Sequence, residues 1–358
     1  MQVQHFLVNK NDLNDHRWLD SEEPEVESMT QGSVLLALDS FALTANNITY
    51  AVAGERMNYW DFFPTEAGWG QVPVWGFATV VGSNHPGIAL GERFYGYLPI
   101  ASHLRVQAEK VTERGFIDGV AHRAPLAAVY NQYVKVDPNL SAQEEAAQML
   151  YRPLFMTSFM LDDYLADADC FGAKAVILTS ASSKTALGLA ALLHARENVT
   201  VVGITSARNQ AFVSSLGCYD EVLSYQELER LDAKRPSVIV DMAGNGEALA
   251  TAHNHLDQAL KQSVLVGATH WDARSGAKEM AGPTPELFFA PAHIAKRVKE
   301  WGPGGLDERF SGAWSQFVSA ADDWVSVDVS AGLSAIESVY GMQLAGEAPP
   351  DKGYILSF

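Results

Sequence analysis

The second half of the chain alternates between apolar strands and helical segments, and this alternation constrains the fold more than any other feature. The predicted strands are 174–180, 200–206, 221–225, 237–244 and 262–270. The predicted helices between them are 184–195, 208–217 and 246–260. Strands that are apolar on both faces and separated by helices indicate a parallel sheet covered on both sides. We therefore predict an α/β fold with a Rossmann-like, doubly wound parallel sheet.

The first 140 residues follow another pattern, in which short β-branched and aromatic runs succeed one another without helices between them. These runs are 33–43, 72–83, 93–100 and 132–137. Short strands separated by glycine and proline indicate a small antiparallel barrel. Helical periodicity begins at 140, where Ser141 and Glu144 have the spacing of a capping box.

The length of the chain, 358 residues, is sufficient for two domains. We predict that the barrel domain comprises 1–140 with 310–358, so that the final strand "KGYILSF" returns to it. The doubly wound domain, which would bind a nucleotide cofactor, then comprises 141–309.

Composition argues against several classes of partner and site. The chain has 25 Lys and Arg against 43 Asp and Glu, and its net charge of −18 repels the phosphate backbone of a nucleic acid. Cys170 and Cys218 are too few for a disulfide framework or a cysteine-rich zinc site, and we expect both to be buried. The sequence has no secretory signal and no apolar run of about 18 residues, so we expect a cytoplasmic protein without a membrane span.

The loop in "TSASSKTALG" (179–188) has three interpretations. It could be the phosphate-binding loop of a nucleotide hydrolase, a dinucleotide-binding turn that lacks its glycines, or an ordinary junction between a strand and a helix. A hydrolase loop needs glycines at positions that Leu178 and Ser183 occupy here. The segment "VIVDMAG" is similar to a magnesium-binding strand, so the hydrolase stays open as an alternative.

The dinucleotide interpretation needs a small loop between the first strand of the sheet and a helix. Ser180, Ser183 and Ala186 occupy the three glycine positions, and their small side chains still permit close approach of a pyrophosphate. The start of the helix would offer backbone N–H groups to that anion. Lys184 and the hydroxyls of Ser183 and Thr185 would add direct contacts.

The end of the second strand distinguishes between two cofactors. NAD(H) requires an acidic residue there, which accepts hydrogen bonds from the ribose diol. "VVGITSARN" has no acid at that place and carries Thr205, Ser206 and Arg208 instead. Hydroxyls and a guanidinium suit a 2′-phosphate, so we predict NADP(H) as the cofactor.

Three further segments carry a resemblance to a known family. Residues 32–54 contain an early strand and an asparagine loop, 72–106 are similar to a barrel segment, and 349–358 are similar to a closing strand. With the layout of the whole chain, they resemble the medium-chain dehydrogenase/reductase superfamily in its zinc-free, quinone-oxidoreductase-like branch, and in particular the DUF2855 family. The resemblance implies that the barrel is a GroES-like catalytic domain beside an NADP-binding Rossmann-like domain. It also allows a homodimer.

The resemblance implies additional cofactor contacts in the second domain. Tyr225 falls where a tyrosine often lines the adenosine. Two strand ends would border the nicotinamide and its ribose. The residues implied at these strand ends are Ala243, Gly244, Val266, Gly267 and Ala268.

The sequence departs from the zinc-dependent members of the superfamily. No cysteine occurs in the loop at 43–50, and Trp75-Gly76-Phe77 replaces the usual Gly-His-Glu segment. We therefore expect no metal. Zinc-free members reduce an activated alkene, such as an enone, an alkenal or an enoyl group, or they reduce a quinone. We expect an NADP(H)-dependent reductase of this kind, with a small apolar or conjugated carbonyl substrate.

Such a reduction needs a hydrogen bond to the developing enolate and a source of one proton. The resemblance suggests Asn47, Tyr50 and Tyr59 as catalytic residues, although ordinary aromatic packing would also explain each tyrosine. Asn46 would contact the substrate. Phe288 and Phe289 would close the substrate site.

A second interpretation belongs to another class of protein. The loop has lost its glycines, and no side chain is an unmistakable catalytic acid. The chain could therefore bind NADPH without turnover, as a redox sensor or a structural relative of the reductases. Binding of NADPH without its oxidation by enones, alkenals or quinones would favour this alternative.

Overall fold

The protein is described from a computed structural model, which covers residues 2–22, 30–196, 198–266 and 280–358. The chain divides into two compact units, of which unit 1 is Met1–Leu150 with Val327–Phe358 and unit 2 is Tyr151–Ser326. These boundaries differ from those predicted at 140 and 310. The boundary between Leu150 and Tyr151 falls inside a continuous helix, Ala142–Asp167. Phe317 lies beyond the predicted boundary at 310, but it stacks on Phe155 of unit 2 with ring centroids 4.4 Å apart.

The strands are β1 Gln2–Asn9, β2 Asp12–Glu22, β3 Ser33–Ala42, β4 Trp69–Gln71, β5 Pro73–Ser83, β6 Arg93–Pro99, β7 His103–Thr112, β8 Gly115–Asp118, β9 Gln132–Lys135, β10 Ala175–Thr179, β11 Thr200–Thr205, β12 Glu221–Ser224, β13 Ser237–Asp241, β14 Leu260–Val266, β15 Glu286–Phe288, β16 Ser326–Ala331 and β17 Lys352–Ser357. The α-helices are α1 Ala45–Val52, α2 Ala142–Asp167, α3 Lys184–His194, α4 Gln210–Ser215, α5 Gly246–Leu256, α6 Ala290–Trp301, α7 Gly305–Ala321 and α8 Leu333–Leu344.

Unit 1 is built on a closed antiparallel barrel. Its strands follow the order β3-β5-β6-β9-β8-β7, and β7 pairs back with β3 from Ser33↔Gln107 to Ala37↔His103. Inward-facing apolar residues such as Val34, Leu36 and Val80 fill it. β17 pairs with the end of β3 and β16 lies beside it. The predicted barrel is therefore confirmed, and the final strand lies beside β3.

A hairpin at the start of unit 1 was not apparent in the sequence. β1 and β2 pair antiparallel, and β4 completes a three-stranded sheet on the other side of β1. β2 reads "DLNDHRWLDSE", which is polar at most positions, because much of this strand is exposed. Trp18 is its main anchor, since its ring lies 5.1 Å from that of Phe6 and its indole N–H donates to Glu337 at 2.7 Å.

Helix α2 begins with the predicted capping box. The Ser141 N–H donates to Oε2 of Glu144 at 2.8 Å, and the Glu144 N–H donates to Oγ of Ser141 at 3.3 Å. The two bonds satisfy backbone N–H groups that a helix start otherwise leaves without a partner. The helix then continues to Asp167.

Unit 2 contains the predicted doubly wound sheet. Its six strands are all parallel and follow the order β12-β11-β10-β13-β14-β15. The chain runs outward from β10 in one direction and then resumes on the other side at β13. The strand order therefore reverses between β10 and β13, and open α/β sheets bind ligands in the crevice at such a point. The predicted fold class is confirmed.

Helix α3 approaches α2 closely at Gly188. A Cβ atom built on Gly188 would lie 2.7 Å from Oγ of Ser158 and 3.0 Å from the ring of Phe155. The Ser158 hydroxyl donates to the carbonyl of Thr185 at 2.7 Å, in the first turn of α3. These contacts hold the start of α3, the helix that follows the serine-rich loop, against α2. Cys170 and Cys218 are both buried, as predicted.

Candidate functional site

Four parallel strands of unit 2 end in buried polar side chains at one edge of the sheet. β10 ends at Thr179, β11 at Thr205, β12 at Ser224 and β13 at Asp241. The carboxyl ends of parallel strands share an edge, so these groups lie along the edge where doubly wound sheets bind their ligands. The polar loops that follow the strands form the candidate cofactor site.

The turn between β10 and α3 has the backbone shape of a glycine turn although it contains no glycine. Ser180 has a φ of 50°, in the left-handed region that favours glycine. Its N–H donates to the Tyr225 hydroxyl at 2.9 Å, and its carbonyl accepts from the Ser183 N–H at 2.7 Å. Ser183 is the N-cap of α3, and its Oγ accepts from the Ala186 N–H at 3.3 Å. A turn that leads into a helix start in this way can hold a phosphate anion.

Lys184 and Thr185 are the first two residues of α3 and are half-buried. Backbone N–H groups of a first helical turn have no partner within the helix, and they point along its axis. Lys184 adds a positive charge at the same end of the helix. Both predicted residues therefore lie in the first turn of α3, next to the turn at Ser180.

Several residues that the sequence did not single out support this turn. Oγ of Ser182 lies 3.4 Å from Oγ1 of Thr205 and accepts from Nδ2 of Asn209 at 3.0 Å. The Tyr219 hydroxyl donates to the carbonyl of Ala181 at 2.8 Å. The serine-rich loop signalled that hydroxyls would matter, but the contribution of Asn209 and Tyr219 depends on tertiary contacts.

The loop after β11 carries the residues predicted to select the cofactor. Thr205 is buried, and Ser206 precedes a short 3₁₀ turn at Ala207–Asn209 that includes the exposed Arg208. Oγ of Ser206 is buried, and no hydrogen-bond partner for it occurs among the described residues. No carboxylate follows the strand, so the loop suits an anionic group better than a ribose diol.

The loop after β13 is tied to the end of β10. Oγ1 of Thr179 donates to Oδ1 of Asp241 at 2.5 Å and accepts from the N–H groups of Met242 at 2.9 Å and Ala243 at 3.1 Å. Gly244 follows with a φ of 65°. Ala243 and Gly244 therefore lie next to the first turn. Val266 ends β14, whereas the predicted contacts at Gly267 and Ala268 lie outside the described residues.

Unit 1 contains a cluster of four tyrosines, which we call the tyrosine cluster: Tyr50, Tyr59, Tyr97 and Tyr130. The rings of Tyr50 and Tyr59 lie 4.6 Å apart, and those of Tyr97 and Tyr130 lie 4.7 Å apart. The two predicted tyrosines are thus brought together. Their hydroxyls are engaged: the Trp75 indole N–H donates to that of Tyr50 at 3.3 Å, and the hydroxyl of Tyr59 lies 3.5 Å from that of Tyr130.

The other two members of the tyrosine cluster were missed in the sequence. Tyr130 lies in a short 3₁₀ turn at Ala128–Asn131, far from Tyr50 in sequence, and nothing local marks it. Tyr97 is fully buried on β6, and its hydroxyl has no hydrogen-bond partner in the described part of the chain. The only signal in the sequence was the high density of aromatic residues at 58–75, which indicates an aromatic region of the domain but not Tyr97 or Tyr130.

Burial keeps the phenols of the tyrosine cluster protonated. It raises the pKa of Tyr50, and hydrogen bonds with Trp75, Asn46 and Tyr130 act in the opposite direction. Burial also raises the pKa of Tyr59, Tyr97 and Tyr130. Each phenol is therefore neutral at physiological pH, and Tyr50 is the one whose oxygen has the most hydrogen-bond partners to support a negative charge.

Asn46 and Asn47 differ although they are adjacent on α1. Asn46 is half-buried and hydrogen-bonds to Tyr50. Asn47 is buried, its Oδ1 accepts from the Thr44 N–H at 2.7 Å, and its Nδ2 donates to the carbonyl of Pro73 at 2.8 Å. The amide of Asn47 therefore caps α1 and ties it to β5.

Phe288 and Phe289 also differ from each other. Phe288 is buried on β15 and stacks on His293 with ring centroids 4.3 Å apart, so it contributes to the packing of unit 2. Phe289 is the N-cap residue of α6, and 39% of it is exposed. Of the two, Phe289 alone presents an accessible ring.

The described residues contain no group of three or more His, Cys, Asp or Glu side chains that could hold a metal ion. Within the same ranges, every helix is too short or too polar to cross a membrane.

Residues 41–349 match the family described as "Protein of unknown function (DUF2855)", and the chain belongs to this family. The family predicted from the sequence is therefore confirmed. No curated protein matches the sequence.

Solved structures share the fold at low sequence identity. CurA from Vibrio vulnificus in complex with NADPH has a TM-score of 0.62 at 11% identity, over 99% of this chain and 98% of CurA. The quinone oxidoreductase from Coxiella burnetii has a TM-score of 0.56 at 14% identity, over 99% of each chain. A mutant enoyl thioester reductase from Candida tropicalis has a TM-score of 0.54 at 11% identity, over all of both chains. The chain thus shares the fold of these three proteins, as the resemblance implied.

Proposed function

We propose that this protein is an NADP(H)-dependent reductase that acts on an activated alkene or a quinone without a metal. The observation that carries the proposal is the turn after β10. Ser180 adopts the backbone conformation of a glycine there, at the point where the strand order of the sheet reverses. Structures with this fold include a complex with NADPH and proteins named quinone oxidoreductase and enoyl thioester reductase, which supports the same class.

The proposed cofactor site combines three loops of unit 2. The turn and the start of α3 would hold the pyrophosphate, through Ser180, Ser183, Lys184 and Thr185. Thr205, Ser206 and Arg208 would hold the 2′-phosphate, because the loop after β11 offers hydroxyls and a guanidinium without a carboxylate. The remaining residues proposed for the cofactor are Tyr225, Ala243, Gly244, Val266, Gly267 and Ala268.

NADPH, when bound, supplies the hydride of such a reduction. The protein must then provide one proton, and we assign it to Tyr50. Its phenol is kept neutral by burial, so it holds a proton to give. After donation, the negative oxygen would be supported by Trp75, whose indole N–H is a donor only, and by Asn46 and Tyr130.

The other predicted site residues take different places in the proposal. Tyr59 acts through the Tyr130 hydroxyl, which lies 3.5 Å from its own. Asn47 is left out of the catalytic set, because both ends of its amide are used within unit 1. Phe289 remains a candidate for the substrate, whereas Phe288 is used in packing.

One observation favours a second candidate, an NADPH-binding protein without turnover. The hydroxyls of Tyr50, Tyr59 and Tyr130 are hydrogen-bonded to one another or to Trp75, so packing alone could account for the tyrosine cluster. Such a protein would bind the cofactor as a redox sensor.

One experiment separates these proposals. The purified protein is titrated with NADPH and then assayed for NADPH oxidation with enones, alkenals, enoyl thioesters and quinones. NADPH binding with turnover of at least one of these substrates supports the reductase. NADPH binding with turnover of none of them supports the sensor. Magnesium-dependent ATP hydrolysis without NADPH binding would contradict both.

A further inference from the structure

The end of β10 and the end of β13 are joined by one compact hydrogen-bond network. Thr179 and Asp241 are both buried, and Oγ1 of Thr179 lies 2.5 Å from Oδ1 of Asp241. Oγ1 of Thr179 also accepts the N–H groups of Met242 and Ala243, at 2.9 and 3.1 Å. The Ala243 N–H lies 3.2 Å from Oδ1 of Asp241 as well.

The chemistry of a hydroxyl fixes the direction of each bond. A threonine hydroxyl has one proton and two lone pairs. Because both lone pairs of Thr179 accept backbone N–H groups, its single proton is committed to Asp241. Burial raises the pKa of Asp241, and the hydrogen bonds from Thr179, Ala243 and Gly244 oppose that effect. The hydroxyl of Thr179 therefore uses every hydrogen-bonding group it has.

The position of the network gives it a consequence beyond packing. β10 and β13 are the two strands between which the order of the sheet reverses, so the network crosses the floor of the crevice where such sheets bind ligands. Thr179 is followed at once by Ser180, the left-handed residue of the turn. Asp241 is followed by Met242, Ala243 and Gly244, whose backbone the network holds.

We propose that Thr179 and Asp241 are a pair of positioning residues that set the spacing between the turn at Ser180 and the loop at 242–244. The pair thereby determines how tightly the protein holds the nicotinamide half of its cofactor. This inference rests on the proposed function, since it assumes a dinucleotide at the site. Thr179 and Asp241 would themselves touch no ligand, and they would act through the backbone of the residues that follow them.

The adenosine half should depend on other groups. Thr205, Ser206 and Arg208 lie at the end of β11 and in the loop after it, where Thr205 and Asn209 hydrogen-bond to Ser182 rather than to Thr179. A defect in the Thr179 network should therefore weaken NADPH and spare a ligand that carries only the adenosine and its 2′-phosphate. General loss of structure would weaken both ligands together.

Two substitutions at one position isolate the hydroxyl. Thr179→Val keeps the shape of the side chain and removes the hydroxyl, which leaves the Met242 N–H without its acceptor and takes one partner each from the Ala243 N–H and from Asp241. Thr179→Ser keeps the hydroxyl. Thr200→Val is the matched control, because Thr200 starts the neighbouring strand β11 at the opposite edge of the sheet.

The test is calorimetric titration of the four proteins with NADPH and with 2′,5′-ADP, after circular dichroism has shown that each is folded. We expect Thr179→Val to weaken NADPH binding at least tenfold and to change 2′,5′-ADP binding less than twofold. Thr179→Ser and Thr200→Val should bind both ligands within threefold of the wild type.

Asp241→Asn provides a second route if Thr179→Val does not fold. It keeps the volume of the Asp241 side chain and leaves the Thr179 hydroxyl in place, but it replaces one carboxylate oxygen with an N–H donor. We expect this variant to bind NADPH three- to tenfold more weakly and to bind 2′,5′-ADP as the wild type does. Wild-type affinity for NADPH in the folded variant, or equal loss of both ligands, would overturn the positioning role while the proposed function stands. A wild-type protein that binds neither ligand would overturn both.

Discussion

The Tyr225 hydroxyl accepts the backbone N–H of Ser180 at 2.9 Å and braces the one residue of the turn that is left-handed, with a φ of 50°. The two residues belong to different loops at the same edge of the sheet. This bond accounts for a serine at a position where a dinucleotide-binding turn ordinarily has a glycine, because the tyrosine helps to hold a conformation that serine disfavours.

Ser180→Gly should therefore be tolerated or stabilising. The left-handed conformation costs a residue with a Cβ atom roughly 1–2 kcal/mol, and the entropy lost by glycine offsets about half of that gain. We expect the free energy of unfolding to rise by about 0–1 kcal/mol in denaturant titrations. Ser183→Gly is the control, since Ser183 has a φ of −74° and gains nothing from glycine. A loss of more than about 1 kcal/mol in Ser180→Gly would contradict this account of the turn.

Arg208→Ala should abolish most of the preference for NADPH over NADH. A hydrogen bond to a charged group contributes about 1.5–3 kcal/mol, which corresponds to roughly 10- to 150-fold in affinity. NADH binding should change little. The matched control is Arg230→Ala, because Arg230 is also an exposed arginine and lies outside the loop after β11, where it forms an ion pair with Glu227. If Arg208→Ala weakens NADPH and NADH equally, the arginine has a structural role.

Tyr50→Phe should lower kcat far more than Tyr59→Phe. A positioned general acid contributes about 10²- to 10⁴-fold, whereas loss of a neighbouring hydroxyl changes only the support of the donor. Tyr130→Phe should have an intermediate effect, because its hydroxyl bonds both neighbours. The measurement is steady-state kinetics with NADPH at saturation. Unchanged kcat in all three variants would mean that the proton comes from water or from a ribose hydroxyl.

Tyr97→Phe should stabilise unit 1. The Tyr97 hydroxyl is fully buried, and no partner for it occurs among the described residues, which costs about 1–3 kcal/mol of desolvation. We expect a gain of about 1 kcal/mol in the free energy of unfolding. Tyr133→Phe is an instructive counterpart, since the Tyr133 hydroxyl donates to the carbonyl of Tyr97 at 2.9 Å and its removal should destabilise by about 1 kcal/mol. The opposite order of the two variants would contradict the assignment.

The tyrosine cluster should also make stability depend on alkaline pH. Burial raises the pKa of its four phenols in the folded state above the ordinary value of about 10. The contribution of the buried, protonated phenols to the free energy of unfolding is fully present below a pH of about 10. It is lost as the pH rises toward the pKa values of the folded state, because the phenols of the unfolded chain release their protons first. Urea titrations should give a free energy of unfolding that falls steeply above pH 10. A flat profile through pH 11 would contradict the raised pKa values.

The sequence was sufficient to predict the architecture because the period of its apolar residues differs between the two halves. The interior positions of strands β10, β11 and β13 are apolar, as a sheet covered on both faces requires, and the positions of the strands were predicted to within a few residues. The hairpin β1–β2 was missed, since β2 is polar and exposed and depends on Trp18 for its anchor.

The candidate site was less predictable, because its partners are far apart in the chain. The small residues of the turn were visible in "SASSK", but the bond between Tyr225 and Ser180 joins positions 45 residues apart. Tyr130 lies 71 residues from Tyr59, and no local pattern connects them. A motif indicates which loop binds an anion, whereas the residues that brace the loop are revealed only by tertiary structure.

Calorimetric titration of the wild-type protein with NADPH and NADH tests the central claim most directly. The residues after β11 offer Arg208 and hydroxyls but no carboxylate, so NADPH should bind with one site per chain and at least tenfold more tightly than NADH. Tighter binding of NADH, or no binding of either dinucleotide, would contradict the account.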